Sequence, residues 1–235
     1  MPLVEVITSS GFASLLGMRH ALEPDHVAAV TTLVSREQSS YRAAWLGVCW
    51  GIGHTLTLFV VGLGLVLVRK EIPAGWADVF EIVVAAMLIT LGLRSVLQAV
   101  RLGSIGPSYL HRHRWIVHQH PGTSAHVHIG GWTFARRPLI VGMIHGLAGS
   151  GALAALVLTT LPTTASRLVY MILFGVGSTA GMAALSGLLG WPLARLGAHE
   201  HVTRVISFVV GSMSMALGII WGYPLIARLA VVVRP

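Results

Sequence analysis

Charged residues are scarce in this 235-residue chain: only 10% are Asp, Glu, Lys or Arg, whereas an ordinary soluble domain contains about 25%. Hydrophobic residues make up 54% of the chain, and the mean hydropathy is +0.77. So few polar side chains cannot coat a water-soluble globule, and most of the surface must therefore face lipid. The composition excludes a soluble domain and predicts an integral membrane protein.

Three further absences narrow the class of protein. The single cysteine, Cys49, excludes an internal disulfide. Although the formal net charge is +8, the arginines are scattered singly between apolar runs and form no basic stripe with interleaved aromatic residues. Nucleic acid is therefore not an expected partner. Residues 1–5 lack the cationic region of a signal peptide, so no cleavage is expected.

Six stretches are apolar over the roughly 20 residues that a helix needs to cross the hydrocarbon core. They run approximately from Ser10 to Val34, Ala43 to Val68, Trp76 to Val100, Leu139 to Leu161, Leu168 to Leu189 and Val205 to Val233. The long polar segment lies between the third and fourth stretches. We therefore predict one membrane domain over residues 1–235, with a three-helix half (1–100), a His-rich loop (101–137) and a second three-helix half (138–235).

The two halves resemble each other in sequence at three collinear places, with offsets of 125, 124 and 126 residues. The matching segments are 17–22 with 142–147, 50–55 with 174–179, and 87–93 with 213–219. Because each half has three spans, its second copy must enter the membrane from the opposite side, as in many secondary transporters. The expected fold is an all-α membrane protein with six transmembrane helices in two inverted three-helix repeats.

The orientation follows from the positive charges in the connecting segments. With the N-terminus outside, the inner segments contain nine Arg or Lys residues and the outer segments contain five. Positive charge is enriched on the cytoplasmic side of membrane proteins. We therefore expect a multi-pass protein of the cell membrane, with its N-terminus outside and the His-rich loop in the cytoplasm.

The first span contains two histidines and two acids within seven residues, where polar groups are costly and usually functional. On an ideal helix His20 and His26 would point about 240° apart. Pro24 cannot donate a hydrogen bond to the carbonyl of His20, so we predict that the first helix is broken there. The break would let both imidazoles and Asp25 converge on a transition-metal ion. The alternative is an ion pair of Arg19 with one of the acids.

Other in-span polar residues extend this cluster. His54 lies in the middle of the second span, in a glycine-rich stretch, and is predicted to be a further metal ligand. The alternative is a packed histidine bonded to a neighbouring carbonyl. His145 occupies the position that matches His20 in the second half. We expect a supporting or gating role for His145, Glu23 and Thr55.

The central loop contains three His-x-His pairs: His111 and His113, His118 and His120, and His126 and His128. In an extended chain, residues two apart lie on one side, so each pair can chelate a metal ion. Such His-rich tracts are typical of metal buffering. The alternative is a solvated linker without a metal role.

At these residues the chain resembles the nickel/cobalt transporter (NiCoT) family, and more closely its six-span, UreH-like urease-accessory branch. Residues 19–26 match the signature R-H-A-x-x-x-D-H, and residues 53–55 resemble G-H-S/T. The acidic signature L-G-x-D-T-A-T-E has no acid in the corresponding residues 174–181, which leaves the metal and the direction of transport open.

The resemblance implies Ni²⁺ or Co²⁺ as the transported substrate, with no permanently bound cofactor. It also implies that the metal is held by His20, Asp25, His26 and His54. Metallochaperones of urease or hydrogenase assembly are the partners that it implies.

Other classes explain less of the sequence. An intramembrane serine protease built on Ser150 needs a base at the serine, and the sixth span contains no histidine. A membrane haem protein would use His20, His54 and His145 as axial ligands but leaves Asp25 unexplained. An exporter of another metal or of a small solute remains open. We therefore expect a transporter and not an enzyme.

Overall fold

The computed structural model describes ten stretches of the chain: residues 3–35, 37, 39–68, 74–101, 109–113, 116–120, 126–129, 132–160, 163–196 and 200–232. Within these stretches there are seven helices: α1 (Leu3–His20), α2 (Pro24–Val34), α3 (Ser40–Val68), α4 (Ala74–Arg101), α5 (Arg136–Thr160), α6 (Thr164–Leu196) and α7 (Glu200–Val232).

Four helices in the described part of the chain are long and apolar enough to cross a membrane: Ser40–Leu65, Ala77–Arg101, Thr164–Leu193 and His201–Arg228. They indicate an integral membrane protein. The first predicted span is divided between α1 and α2. The fourth lies in α5, where the side chains of residues 149–160 are outside the described part of the structure. The number of six spans therefore stays a prediction.

The predicted break in the first helix is confirmed. Helix α1 ends at His20 and α2 begins at Pro24, where a residue without an N–H is tolerated in the first helical turn. The backbone of Glu23 is extended and caps α2. Two turn hydrogen bonds close the interval: Leu22 N–H donates to the Arg19 carbonyl at 2.9 Å, and Glu23 N–H donates to the His20 carbonyl at 3.1 Å.

Hydroxyl-to-carbonyl hydrogen bonds join the central helices in pairs. Helices α3 and α6 run antiparallel, and the Ser40 hydroxyl donates to the Gly187 carbonyl at 2.7 Å. Helices α4 and α7 are also antiparallel. Between them the Ser95 hydroxyl donates to the Ser207 carbonyl at 2.8 Å, and the Ser214 hydroxyl donates to the Leu88 carbonyl at 3.0 Å. Small residues at these contacts let the backbones approach closely, as is common between membrane helices.

Helices α1 and α5 each run parallel to one of the paired central helices. Helix α1 packs along α6, where Gly177 lies against the backbone of Ser14. Helix α5 packs along α3, where Gly142 lies against Trp50 and Gly146 lies against the His54 carbonyl. Any side chain at these glycines would collide with backbone atoms of the neighbouring helix.

The buried and exposed apolar side chains separate as expected for a bundle in lipid. Trp50, Leu88 and Met182 are completely buried between the helices. By contrast, Leu188 is 72% exposed on the outside of the bundle. Large apolar side chains on the outer surface require an apolar solvent, in agreement with the composition.

The central loop contains two β-hairpins in its described part. Strand β1 (Tyr109–His113) pairs antiparallel with β2 (Ile116–His120), and β3 (His126–Ile129) pairs antiparallel with β4 (Trp132–Ala135). The all-α class therefore holds for the bundle, and the loop adds short strands to it. In the first hairpin His111 is directly opposite His118.

Candidate metal centre

The break between α1 and α2 brings the polar residues of the first span together. His20 is the last residue of α1, and Asp25 and His26 lie in the first turn of α2. Helix α3 contributes His54 from its middle, and α5 contributes His145. Glycine contacts hold α5 against α3 and α1 against α6, and α6 in turn packs on α3, so the histidines meet inside the bundle.

Three histidines form the first cluster, which we call the imidazole triad: His20, His26 and His54. One ring nitrogen of each lies within 4.8 Å of the others. The ring centroids are 4.5 Å apart for His20 and His26, 5.1 Å for His26 and His54, and 5.3 Å for His20 and His54. His26 and His54 are fully buried. The predicted convergence of these three residues is therefore observed.

Asp25 is the centre of a second cluster. Its Oδ1 accepts hydrogen bonds from the backbone N–H of His26 at 2.9 Å and lies 3.1 Å from His26 Nδ1. Its Oδ2 lies 2.7 Å from His145 Nε2. The ring centroids of His26 and His145 are 4.1 Å apart. Asp25, His26 and His145 also offer donor atoms within 4.8 Å of one another, so His26 belongs to both clusters.

The predicted supporting residues differ in what they contact. Glu23 Oε1 lies 2.9 Å from His20 Nδ1, with the Glu23 side chain about half exposed. His145 contacts Asp25 directly, which places it closer to the centre than its sequence position indicated. The Thr55 hydroxyl instead donates to the Gly175 carbonyl at 3.0 Å and lies 3.1 Å from the Thr179 hydroxyl, so it joins α3 to α6.

Several buried ring nitrogens in this centre have no hydrogen-bond partner among the described residues. They are His20 Nε2, His26 Nε2, His54 Nδ1, His54 Nε2 and His145 Nδ1. A buried polar atom without a partner costs roughly 1–3 kcal/mol, so one such atom is unusual and a group of them needs an explanation. Nitrogen donors that converge in this way have the arrangement of a metal-binding site.

Two aromatic residues that the sequence reasoning did not identify form walls of the centre. The buried Trp50 ring lies 5.4 Å from the ring of His26 and 5.7 Å from that of His145. The Phe174 ring lies 5.4 Å from that of His20. Trp50 and Phe174 occupy matching positions in the two halves of the sequence. This match could have identified both residues as part of the centre.

A cavity of about 1060 Å³ leads to the centre. Its wall includes His20, Asp25, His26 and His145, and also Glu81 of α4 and Arg228 of α7. A dication with six waters occupies roughly 200 Å³, at about 30 Å³ for each water. The cavity is therefore large enough to hold a hydrated ion beside the centre.

The structure describes only the backbone positions of the loop histidines. His111 and His113 lie on β1, His118 and His120 on β2, and His126 and His128 on β3. Their side chains lie outside the described part of the structure. The predicted metal buffering therefore stays a prediction.

The fold and the centre together define a class: a helical membrane protein with a buried cluster of histidines and one aspartate beside a cavity. The chain is 31% identical over 229 residues to the urease accessory protein UreH of Bacillus sp. (strain TB-90), covering 96% of this chain and 95% of that protein. The chain therefore belongs to the UreH family of urease accessory proteins.

Two more distant relatives are chloroplast proteins of Arabidopsis thaliana. The chain is 25% identical over 231 residues to FOR GROWTH AND FERTILITY 2, and 24% identical over 223 residues to FOR GROWTH AND FERTILITY 1. It spans 55% and 58% of their lengths, respectively. No family model and no solved structure matches the chain.

Proposed function

We propose that this protein transports a divalent transition-metal ion, Ni²⁺ or Co²⁺, across the membrane through the centre formed by His20, Asp25, His26 and His54. The observation that carries the proposal is the group of buried ring nitrogens without partners at the meeting point of α1, α2 and α3. A bound ion would satisfy these nitrogens, and the cavity offers it a route.

The donor types favour one class of ion. Imidazole nitrogen suits Ni²⁺, Co²⁺, Zn²⁺ and Cu²⁺, whereas Mg²⁺ and Ca²⁺ prefer oxygen ligands. The resemblance to nickel/cobalt transporters selects Ni²⁺ and Co²⁺ from the first group. Asp25 adds a negative charge that offsets part of the charge of a dication in the low-dielectric interior.

We also propose that the bundle has six transmembrane spans in two inverted halves. Reciprocal contacts support this arrangement. Gly17 lies against the Phe174 carbonyl, and the matching residue Gly142 lies against the carbonyl of Trp50, which itself matches Phe174. Thr55 and Thr179 match each other and are joined directly. Such self-complementary contacts are typical of a two-fold axis.

Helix directions support the inversion independently. Helix α1 is parallel to α6, α6 is antiparallel to α3, and α3 is parallel to α5. It follows that α1 and α5, which begin the two halves, run in opposite directions. The metal centre lies where these halves meet, as substrate sites do in transporters with inverted repeats.

The transport proposal is tested with the full-length protein in lipid vesicles. We expect a membrane potential, negative inside, to drive the entry of Ni²⁺ and Co²⁺, because a dication gains about 4.6 kcal/mol per 100 mV. Mg²⁺ should not enter above the level of empty vesicles. Equal passage of Mg²⁺, or no flux of any metal in either direction, would contradict the proposal.

The loop histidines provide a separate prediction. No acid lies between Arg101 and Arg137, so the positive charge of the loop weakens cation binding, and imidazoles must be deprotonated to bind. Replacing all six loop histidines by serine should slow transport at scarce metal and leave the maximal rate nearly unchanged. Initial rates measured over a range of Ni²⁺ concentrations check this. A variant that is inactive at saturating Ni²⁺ would make the loop part of the pathway.

We place the protein in the cell membrane with its N-terminus outside and the loop in the cytoplasm, from the distribution of positive charge. A cytoplasmic loop of this kind suits exchange of the metal with metallochaperones of urease or hydrogenase assembly. Accessibility of single cysteines placed at Tyr41 and Ala165, which lie at opposite ends of the predicted spans, to an impermeant thiol reagent in intact cells, in a Cys49→Ala background, tests the orientation. The expected result is labelling at position 165 alone.

A further inference from the structure

Both oxygens of Asp25 already contact donors from the protein. Oδ1 accepts from the backbone N–H of His26 and lies 3.1 Å from His26 Nδ1, and Oδ2 lies 2.7 Å from His145 Nε2. A carboxylate is only an acceptor, so each ring nitrogen that bonds to it must carry a proton. Asp25 is thus the acceptor of three N–H groups.

This arrangement determines which nitrogens are free to bind metal. A neutral imidazole has one N–H and one lone pair. If Nδ1 of His26 donates to Asp25, its lone pair is on Nε2, and His26 Nε2 is one of the buried atoms without a partner among the described residues. The same reasoning applies to His20: Nδ1 contacts Glu23, and Nε2 has no described partner.

A carboxylate that receives the remote N–H of a metal-binding histidine is a common feature of metal sites, where it sets the tautomer and the orientation of the ring. His145 does not belong to the group of donor atoms formed by His20, His26 and His54, and its ring lies 6.0 Å from the ring of His54. Its polar contact is with Asp25 Oδ2, and its ring lies beside that of His26, with the centroids 4.1 Å apart.

We infer that Asp25 and His145 form a hydrogen-bonded pair that positions His26, and that the transported ion is bound by nitrogen atoms of the imidazole triad, without a carboxylate ligand. This inference rests on the proposed function and specifies it. It assigns to Asp25 a positioning role in place of the ligand role predicted from the sequence. It also makes His145 a positioning residue for the same step.

An all-imidazole triad has consequences for the choice of ion. Three neutral nitrogen donors select against Mg²⁺, Ca²⁺ and Mn²⁺, which prefer carboxylate and water oxygens. The buried carboxylate still attracts a cation through its charge, but it does not enter the coordination shell. An ion that gains no anionic ligand is held less tightly, which favours its release to the other side of the membrane.

The experiment uses Co²⁺ bound to the full-length protein in lipid nanodiscs. X-ray absorption counts the imidazole and oxygen ligands, and a competing chelator gives the affinity. We expect three imidazoles in the wild type and in Asp25→Asn, with affinity lower in the variant by roughly 10- to 100-fold, the usual loss when an outer partner of a ligand is removed. His145→Ala should lose affinity by a similar factor.

Further variants of His145 and Asp25 distinguish a positioning role from a general effect on folding. His145→Gln keeps an N–H donor for Asp25 and should bind Co²⁺ within about threefold of the wild type, whereas His145→Ala should not. The double variant Asp25→Asn with His145→Ala should be no weaker than the poorer single variant, because both changes break one hydrogen-bonded unit. Asp78→Asn, at an acid near the start of α4 that is not part of the cavity wall, is the matched control for loss of a carboxylate.

The results distinguish failure of this inference from failure of the transport proposal. A wild-type protein that binds no Co²⁺, or binds it equally well without His54, removes the proposed function. A protein that binds Co²⁺ through the triad but loses one oxygen ligand in Asp25→Asn keeps the proposed function and overturns this inference. Additive losses in the double variant would also overturn it.

Discussion

Replacing His54 by alanine is expected to abolish metal transport while the protein still inserts into the membrane. His54 lies in the middle of α3, is completely buried and has no hydrogen-bond partner among the described residues at either ring nitrogen. Its removal therefore breaks no described hydrogen bond but deletes one of three ligands. Since loss of an outer partner already costs roughly 10- to 100-fold in affinity, loss of a ligand should cost more than about 100-fold.

Initial rates of Ni²⁺ and Co²⁺ flux in vesicles, at equal protein content, measure this effect. Leu58→Ala is the matched control, because Leu58 is buried one turn further along α3 and its truncation leaves a comparable cavity without removing a ligand. His201→Ala, at an exposed histidine of α7, controls for the loss of an imidazole. A His54→Ala protein that transports at the rate of Leu58→Ala would show that His54 is a packing residue, as the alternative interpretation holds.

Replacing Gly142 by alanine is expected to destabilise the bundle strongly. A methyl group at Gly142 would collide with the carbonyl oxygen of Trp50 and with the edge of its indole ring. Because backbone cannot move aside as a flexible side chain can, α5 must shift, at a cost of about 1–3 kcal/mol or more. The shift would carry His145 away from Asp25, so Co²⁺ affinity should fall together with stability.

Gly64→Ala is the matched control for this change. Gly64 also lies within a helix, but no described heavy atom is within 4 Å of the position that its Cβ would occupy. There alanine should be neutral or stabilise by roughly 0.5–1 kcal/mol through its better helix propensity. Thermal unfolding in detergent, with Co²⁺ affinity measured in parallel, compares the two. Equal transition temperatures for both variants would contradict the close packing of α5 on α3.

If the inverted halves are correct, Gly17→Ala should have a similar effect on stability to Gly142→Ala. Gly17 meets the Phe174 carbonyl as Gly142 meets the Trp50 carbonyl. The consequence for the site would differ, because α1 carries the ligand His20 whereas α5 carries the positioning residue His145. The two halves would thus share the same helix packing and differ in the functional side chains that they carry.

Local features of the sequence determined the membrane class, the break in the first helix and most of the residues of the candidate metal centre. Hydropathy indicates directly whether a helix faces water or lipid, because a helix in lipid exposes no polar surface. Pro24 acts on the turn that contains it, so its effect on the His20 carbonyl does not depend on the rest of the fold. Once the helix was broken, His20 and His26 lay close together because they are six residues apart.

The tertiary structure alone decided which residues from distant helices meet in the candidate metal centre. Asp25 was predicted as a ligand because a carboxylate beside histidines is compatible with either role, and only the contact with His145, 120 residues away, shows that its oxygens are already engaged. His145 itself is isolated among apolar residues of α5, so no local pattern assigned its partner. Which face of a helix meets which neighbour depends on close packing through residues such as Gly142, and that information is distributed over the whole bundle.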